Sequence, residues 1–183
     1  MAEGGALLRR YTGLNRYRGF ESLSLRHSFL AVLLALAAGA AHGETFEASV
    51  VSVQDGDSLT VMRERRRVRV RLIGIDAPEG KQAYGDESRD SLAALCRKKN
   101  ASITWTKKDS HKRLLGRVTC SGVDANAEQV RRGLAWASPL ARDRELNGLQ
   151  DTARRARKGL WADAAPTAPW KWRRAHNDPE KAR

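Results

Sequence analysis

The chain has 183 residues, 41% of them hydrophobic, with 34 Lys and Arg against 21 Asp and Glu and a formal charge of +13. That length bounds it at one globular domain plus extensions and leaves no room for a multidomain assembly. The basic excess predicts a polyanionic partner, because each neutralised phosphate releases condensed counterions and the field attracts a polyanion at long range; an anionic membrane surface would satisfy the same charge.

Near the start, Arg26 and His27 precede an apolar run from Phe29 to about Ala38 and then small residues. This pattern predicts a secretory signal peptide cleaved near Ala38-Gly39-Ala40 or Ala41-His42-Gly43. The run is shorter than the roughly 20 apolar residues of a membrane span, which makes an uncleaved anchor the alternative. The expected layout is a leader over 1–43, a folded domain over 44–163 and a Pro/Trp/basic tail over 164–183, in a secreted or periplasmic protein without stable membrane insertion. Setting aside the five arginines and two glutamates before Glu44 leaves 29 basic against 19 acidic residues, so the folded part stays at +10.

From Phe46 to Ile75 three β segments follow one another, FEASVVSV, SLTVM and VRVRLIGI, which predicts an antiparallel run. A helix is expected from about Asp86 to Lys98, with Leu92, Leu95 and Cys96 at helical spacing. The strands ASITWT and LLGRVTC come next, the second closed by the turn SGVD. Helices are then expected over ANAEQVRRGLAW, stopped at Gly133, and from about Asp143 to Arg157, stopped at Gly159. Five strands interrupted by one helix, with further helices after them, suit an α+β protein built on a five-stranded Greek-key β-barrel of the OB type with about three helices, a scaffold that commonly binds nucleic acid.

Cys96 and Cys120 are the chain's two cysteines. In an oxidising compartment such a pair favours a disulfide, with two buried thiols as the alternative, and without matching histidines it makes a poor zinc site.

The second and third strands, read as a hairpin with the five-residue tip RERRR, bring Asp57 opposite Asp76, with Glu79 one short loop beyond. Hard carboxylate oxygens in such a cluster suit calcium better than magnesium and are costly without a cation, since like charges a few ångströms apart resist joint ionisation. Taken alone, DGD at 55–57 is a turn and RVRVR a half-buried strand with its arginines in water. Strict alternation puts Arg71 on the face opposite Asp76, so a bulge or bend at Gly74 is needed to unite them.

The ordered set DGDSLTV, RLIGIDAPE, YGDES, KRLLGRV, NAEQVRRGLAW and KGLW resembles the staphylococcal nuclease (thermonuclease) family over about Phe46 to Trp161. The resemblance implies an OB-fold endonuclease that cuts DNA and RNA with calcium and leaves 3′-phosphate ends. It implies metal ligation by Asp57, Asp76 and the carbonyl of Ala77, phosphate binding by Arg71 and Arg113, and Glu79 as the carboxylate that orients or deprotonates water. Arg117 is the rival to Arg113, which keeps the family's offset from GLAW. The resemblance also brings the helix carrying Cys96 against the strand ending in Cys120.

The chain departs from the family in several places. HKR replaces the usual Tyr-Gly-Arg, the loop from Glu79 to Tyr84 is short, and Ser58 stands for a threonine. Pro139 and Ala141 stand where two tyrosines cradle a base; Trp170 or Trp172 in the tail is the candidate substitute. An OB module that binds nucleic acid without cutting it is the competing expectation, a basic protein adhering to the cell envelope a third; a monomer is the default state.

Overall fold

The structure is a computed structural model and describes residues 43–176. The expected leader, its signal peptide and its cleavage site lie outside the described residues. In chain order the elements are β1 (Glu44–Asp55), β2 (Ser58–Arg63), β3 (Arg66–Leu72), β4 (Ile75–Asp76), α1 (Gly85–Cys96), β5 (Asn100–Lys108), β6 (Leu114–Cys120), β7 (Val123–Asp124), α2 (Ala125–Arg131), β8 (Trp136–Ala137), α3 (Arg144–Arg155), a 3₁₀ turn (Gly159–Ala162) and α4 (Pro169–His176).

Five long strands close into a barrel. β1 lies between β2 and β5, β3 follows β2, β6 follows β5, and β3 and β6 meet in parallel from Val70↔Leu114 to Leu72↔Gly116. Alternation fills the interior, as in β6, where Leu114, Gly116, Val118 and Cys120 are buried and the residues between them are half-exposed. The α+β architecture with its OB-type barrel is as the sequence predicts.

The β2–β3 hairpin differs from expectation. Its register runs from Ser58↔Arg71 through Val61↔Val68 to Arg63↔Arg66, so the tip is Glu64-Arg65 alone rather than five residues. Both tip residues have positive φ, 49° and 62°, matching the mirror-image turn whose twist fits a hairpin. Asn-Gly or Asp-Gly usually marks such a turn, and the tip has neither. Consequently Asp57 is level with Leu72, whose N–H donates to its carbonyl at 2.8 Å, and not with Asp76.

α1 buries Leu92, Leu95 and Cys96 against the barrel as its spacing predicts. α2 is stopped by Gly133 at φ +70°. α3 is capped by Asp143, which accepts from the N–H groups of Glu145 and Leu146. It ends at Arg155, two residues short of the expected end at Arg157, because Arg157 takes the left-handed conformation at φ 50°. The start of the tail forms a fourth helix where about three were expected in all. Pro169, buried, supplies a preset φ at its first position, and Trp170 packs edge-on against Trp136 with ring centres 5.6 Å apart. Among the described residues no helix is long and apolar enough to cross a membrane.

Cys96, the last residue of α1, is bonded to Cys120, the last residue of β6, and both are fully buried. Replacing both cysteines by alanine is expected to lower the unfolding free energy by roughly 3 kcal/mol on the chain-entropy account. Urea unfolding of the two forms checks this, and coincident midpoints would show that the bridge adds nothing to stability.

Candidate active site

The site sits where β2, β3 and β4 meet at one end of the barrel. The turn before β2 is clamped by two hydrogen bonds: the Asp55 carboxylate accepts from the Asp57 N–H at 3.0 Å, and the Gly56 carbonyl accepts from Gln129 Nε2 at 2.8 Å. A Cβ at Gly56 would lie 1.7 Å from Ser88 Oγ on α1, so only glycine fits this close approach. In DGD, Asp55 shapes the turn and Asp57 is buried beneath the site.

Gly74 supplies the bend that the alternation of β3 required. Its φ of +82° turns the chain after Leu72, so that Ile75 and Asp76 pair with Ala137 and Trp136 of β8 instead of extending β3. Asn126, buried on α2, holds this bend by donating to the Ile73 carbonyl at 2.8 Å while accepting from the Val118 N–H at 3.0 Å.

Asp57 and Asp76 thereby converge on one guanidinium. Arg71 Nη1 donates to Asp57 Oδ1 and Nη2 to Asp76 Oδ1, both at 2.8 Å. Asp57, 2% exposed, also accepts from the Ala77 N–H at 2.7 Å and from Ser58 Oγ at 3.0 Å. Burial pushes the Asp57 carboxyl up to about 7, against the lowering effect of Arg71 and the Ala77 N–H and with help from the charges of Asp55 and Asp76. Burial also lowers the Arg71 pKa, but the charges of Asp57 and Asp76 outweigh it and hold the guanidinium firmly protonated.

Above this bridge opens a cavity of about 770 Å³ lined by Arg71, Asp76, Glu79, Arg113 and Leu140, among others. Arg113 is aimed by Asp109, whose Oδ2 accepts from its Nε at 2.7 Å and whose Oδ1 accepts from its N–H at 2.9 Å. Its Nη1 lies 3.4 Å from Ser58 Oγ. Arg117 bonds Asp124 and Glu145 instead and does not line the cavity. Of the six predicted site residues, Arg71, Asp76, Glu79 and Arg113 face one space, while Asp57 and Ala77 lie buried beneath it.

Sequence reasoning missed Arg173. From α4 its Nη2 donates to Asp76 Oδ2 at 2.7 Å, and its Nη1 donates to Asp76 Oδ1 at 3.2 Å and to Glu79 Oε1 at 2.6 Å. The hydrogen bond to Asp76, opposed by partial burial and helped by Glu79, raises its pKa further above the usual arginine value. The only signal available was the basic, Trp-rich composition of the tail. Of the two tail tryptophans named as substitutes for the base-cradling tyrosines, Trp170 abuts Trp136 and Trp172 stacks on His176 of the same helix. Beside the cavity Leu140, 93% exposed, stands between Pro139 and Ala141 where the family's tyrosines were expected.

Among the described residues no group of three or more His, Cys, Asp or Glu forms a metal cluster. The donor chemistry nonetheless fits a hard divalent cation: two converging carboxylates, both buried, with Ala77 following Asp76 and its N–H on Asp57. In this structure guanidinium groups supply the positive charge that such oxygens demand.

A family profile described as staphylococcal nuclease homologue matches residues 69–163. An "Uncharacterized endonuclease" of Escherichia coli O157:H7 is 44% identical over 126 residues, 68% of this chain and 82% of that protein. A "Micrococcal nuclease" of Shigella flexneri is 37% identical over 142 residues, 71% of this chain and 82% of that protein. A "Staphylococcal-like nuclease CAN1" of Arabidopsis thaliana is 36% identical over 111 residues, 60% of this chain and 34% of that protein. With the barrel, the bend at Gly74 and the aspartates it brings to Arg71 in the places the motifs require, the chain belongs to the staphylococcal nuclease family.

Proposed function

We propose that the protein is a calcium-dependent endonuclease that hydrolyses DNA and RNA outside the cytoplasm as a monomer and leaves 3′-phosphate ends. The observation that supports this most is that Arg71, Asp76, Glu79 and Arg113 line a single cavity directly above buried Asp57. The endonuclease and nuclease names of the relatives support the same reading. The Cys96–Cys120 bridge fits an oxidising compartment, as does the expected leader.

In this reading Asp57, Asp76 and the Ala77 carbonyl would hold calcium, which when bound polarises a phosphoryl oxygen. Arg71 and Arg113 hold the phosphate from two sides and meet the charge that grows on its oxygens as the phosphorus becomes five-coordinate. Glu79 orients a water and takes its proton as the water oxygen bonds phosphorus. The phosphorus–O5′ bond breaks, the 5′-oxygen is protonated from solvent, and the phosphate stays on the 3′ side. Positioning and electrostatics supply most of the rate in such transfers.

Beyond the cavity a second pocket of about 380 Å³ is lined by Arg67, Arg69, Lys108, Lys112 and Trp105, and Arg69 lines both. This basic track beside the site supports a long polyanion as substrate, since successive phosphates find cations along it. Binding without cleavage is the alternative, and the engagement of Asp76 and Glu79 by Arg173 is the observation in its favour.

Incubation with single-stranded DNA, duplex DNA and RNA, with calcium or a chelator, is expected to give 3′-phosphate products only with calcium. Cleavage that survives chelation would remove the metal from the mechanism, and retention on nucleic acid without products would establish the binding module. Glu79→Gln is expected to lower kcat by about a hundred- to ten-thousand-fold with KM nearly unchanged. Arg113→Ala is expected to lower kcat by about a hundredfold or more and to raise KM as well, because it loses a contact made in both ground and transition states. Steady-state kinetics of the two variants checks both roles, and wild-type rates in either would reassign that residue.

A further inference from the structure

Helix α4 brings a cation of the protein's own to the carboxylates on which the proposed chemistry depends. Arg173 grips both oxygens of Asp76 and reaches Glu79 Oε1 with the same guanidinium. Planar, two-pronged contacts of this kind are the strongest that arginine makes with carboxylates.

The helix is seated for this contact. Trp170, three residues before Arg173 and so on the same face of α4, packs edge-on against Trp136, which pairs with Asp76 across β4 and β8. Gln82 Nε2 donates to the Thr167 carbonyl at 2.5 Å, while Gln82 Oε1 accepts from the Glu79 N–H at 3.2 Å. One glutamine therefore ties the loop carrying Glu79 to the segment leading into α4. Ala168 and Pro169 are buried where that segment enters the helix.

We propose that Arg173 is a built-in competitor for the site's divalent cation, so that α4 latches the site and a cation must displace Arg173 from Asp76 and Glu79 before catalysis. This rests on the calcium-dependent reading above. Arg71 bonds Oδ1 of Asp76 and leaves Oδ2 to Arg173, so a divalent ion that takes Oδ2 meets the Arg173 charge at close range. Arg173 also occupies one of the two carboxylate oxygens with which Glu79 would hold a water. Displacement frees both carboxylates in one step, and the apparent cation affinity is reduced by the fraction of molecules that are latched.

Calcium titration calorimetry on the full chain, with no nucleic acid present, tests this without relying on activity. Arg173→Gln is expected to bind calcium about tenfold more tightly than wild type, and Arg174→Gln, one residue along the exposed face, to bind as wild type does. Trp170→Ala, which removes the seat of α4 and leaves the carboxylates untouched, is expected to tighten binding in the same direction. In hydrogen exchange, saturating calcium is expected to deprotect the amides of 170–176 in the wild type. Calcium binding of equal affinity in wild type, Arg173→Gln and Trp170→Ala, or a helix whose protection calcium leaves unchanged, would overturn the latch while leaving the calcium reading intact. Absence of calcium binding in all of the variants would overturn both.

Discussion

The guanidinium of Arg71, held between Asp57 and Asp76, is the contact from which the site is assembled. The two aspartates belong to different turns, one before β2 and one after β3, and they meet only because a single side chain with two parallel donor edges spans them. Asp57 is too deeply buried for water to screen it, so its partner cannot be lost without leaving a charge stranded in the interior. The surrounding backbone serves that requirement. Gly56 allows the first turn to press onto α1, Gly74 allows the second to reverse, and the amides of Gln129 and Asn126 tie both turns to α2.

Much of this was legible in the sequence because it is local. Period-two alternation marked the strands, helical spacing marked α1, and the need for a bulge or bend at Gly74 followed from having Arg71 and Asp76 on opposite faces of one strand. The grouping of Arg71, Asp76, Glu79 and Arg113 came through the family motifs and is matched by the cavity they line. The hairpin tip was not legible, because Glu64-Arg65 adopts positive φ without the residues that normally announce it, and the register moved accordingly. The place of Arg173 was not legible for a different reason. A contact between residues 76 and 173 depends on where the tail lands, and no spacing rule spans that distance.

The departure from the family's tyrosines can be judged against what stands in their place. Leu140 exposes an apolar side chain at the rim, which offers a base some contact area without the ring face that makes stacking strong. The cations of the neighbouring track lie on β3, β5 and the loop before β6. In the proposed nuclease, grip on the substrate would thereby shift from the base toward the backbone, where affinity falls steeply with salt and carries little preference among sequences.

The charges around the cavity explain why a strongly basic chain concentrates acid at its centre. Asp57, Asp76 and Glu79 in ionised form carry three negative charges, and Arg71 and Arg173 return two of them. A phosphate entering that arrangement meets a residual negative charge at its closest approach, where Coulomb repulsion is least screened. Exchange of the Arg173 guanidinium for a divalent ion raises the positive count to three, and the excess that would repel the phosphate disappears while Arg71 and Arg113 remain to bind it. In the proposed exchange the acid cluster seats either Arg173 or a divalent ion, and which of the two is present would decide whether the surrounding basic surface can deliver a polyanion to Glu79.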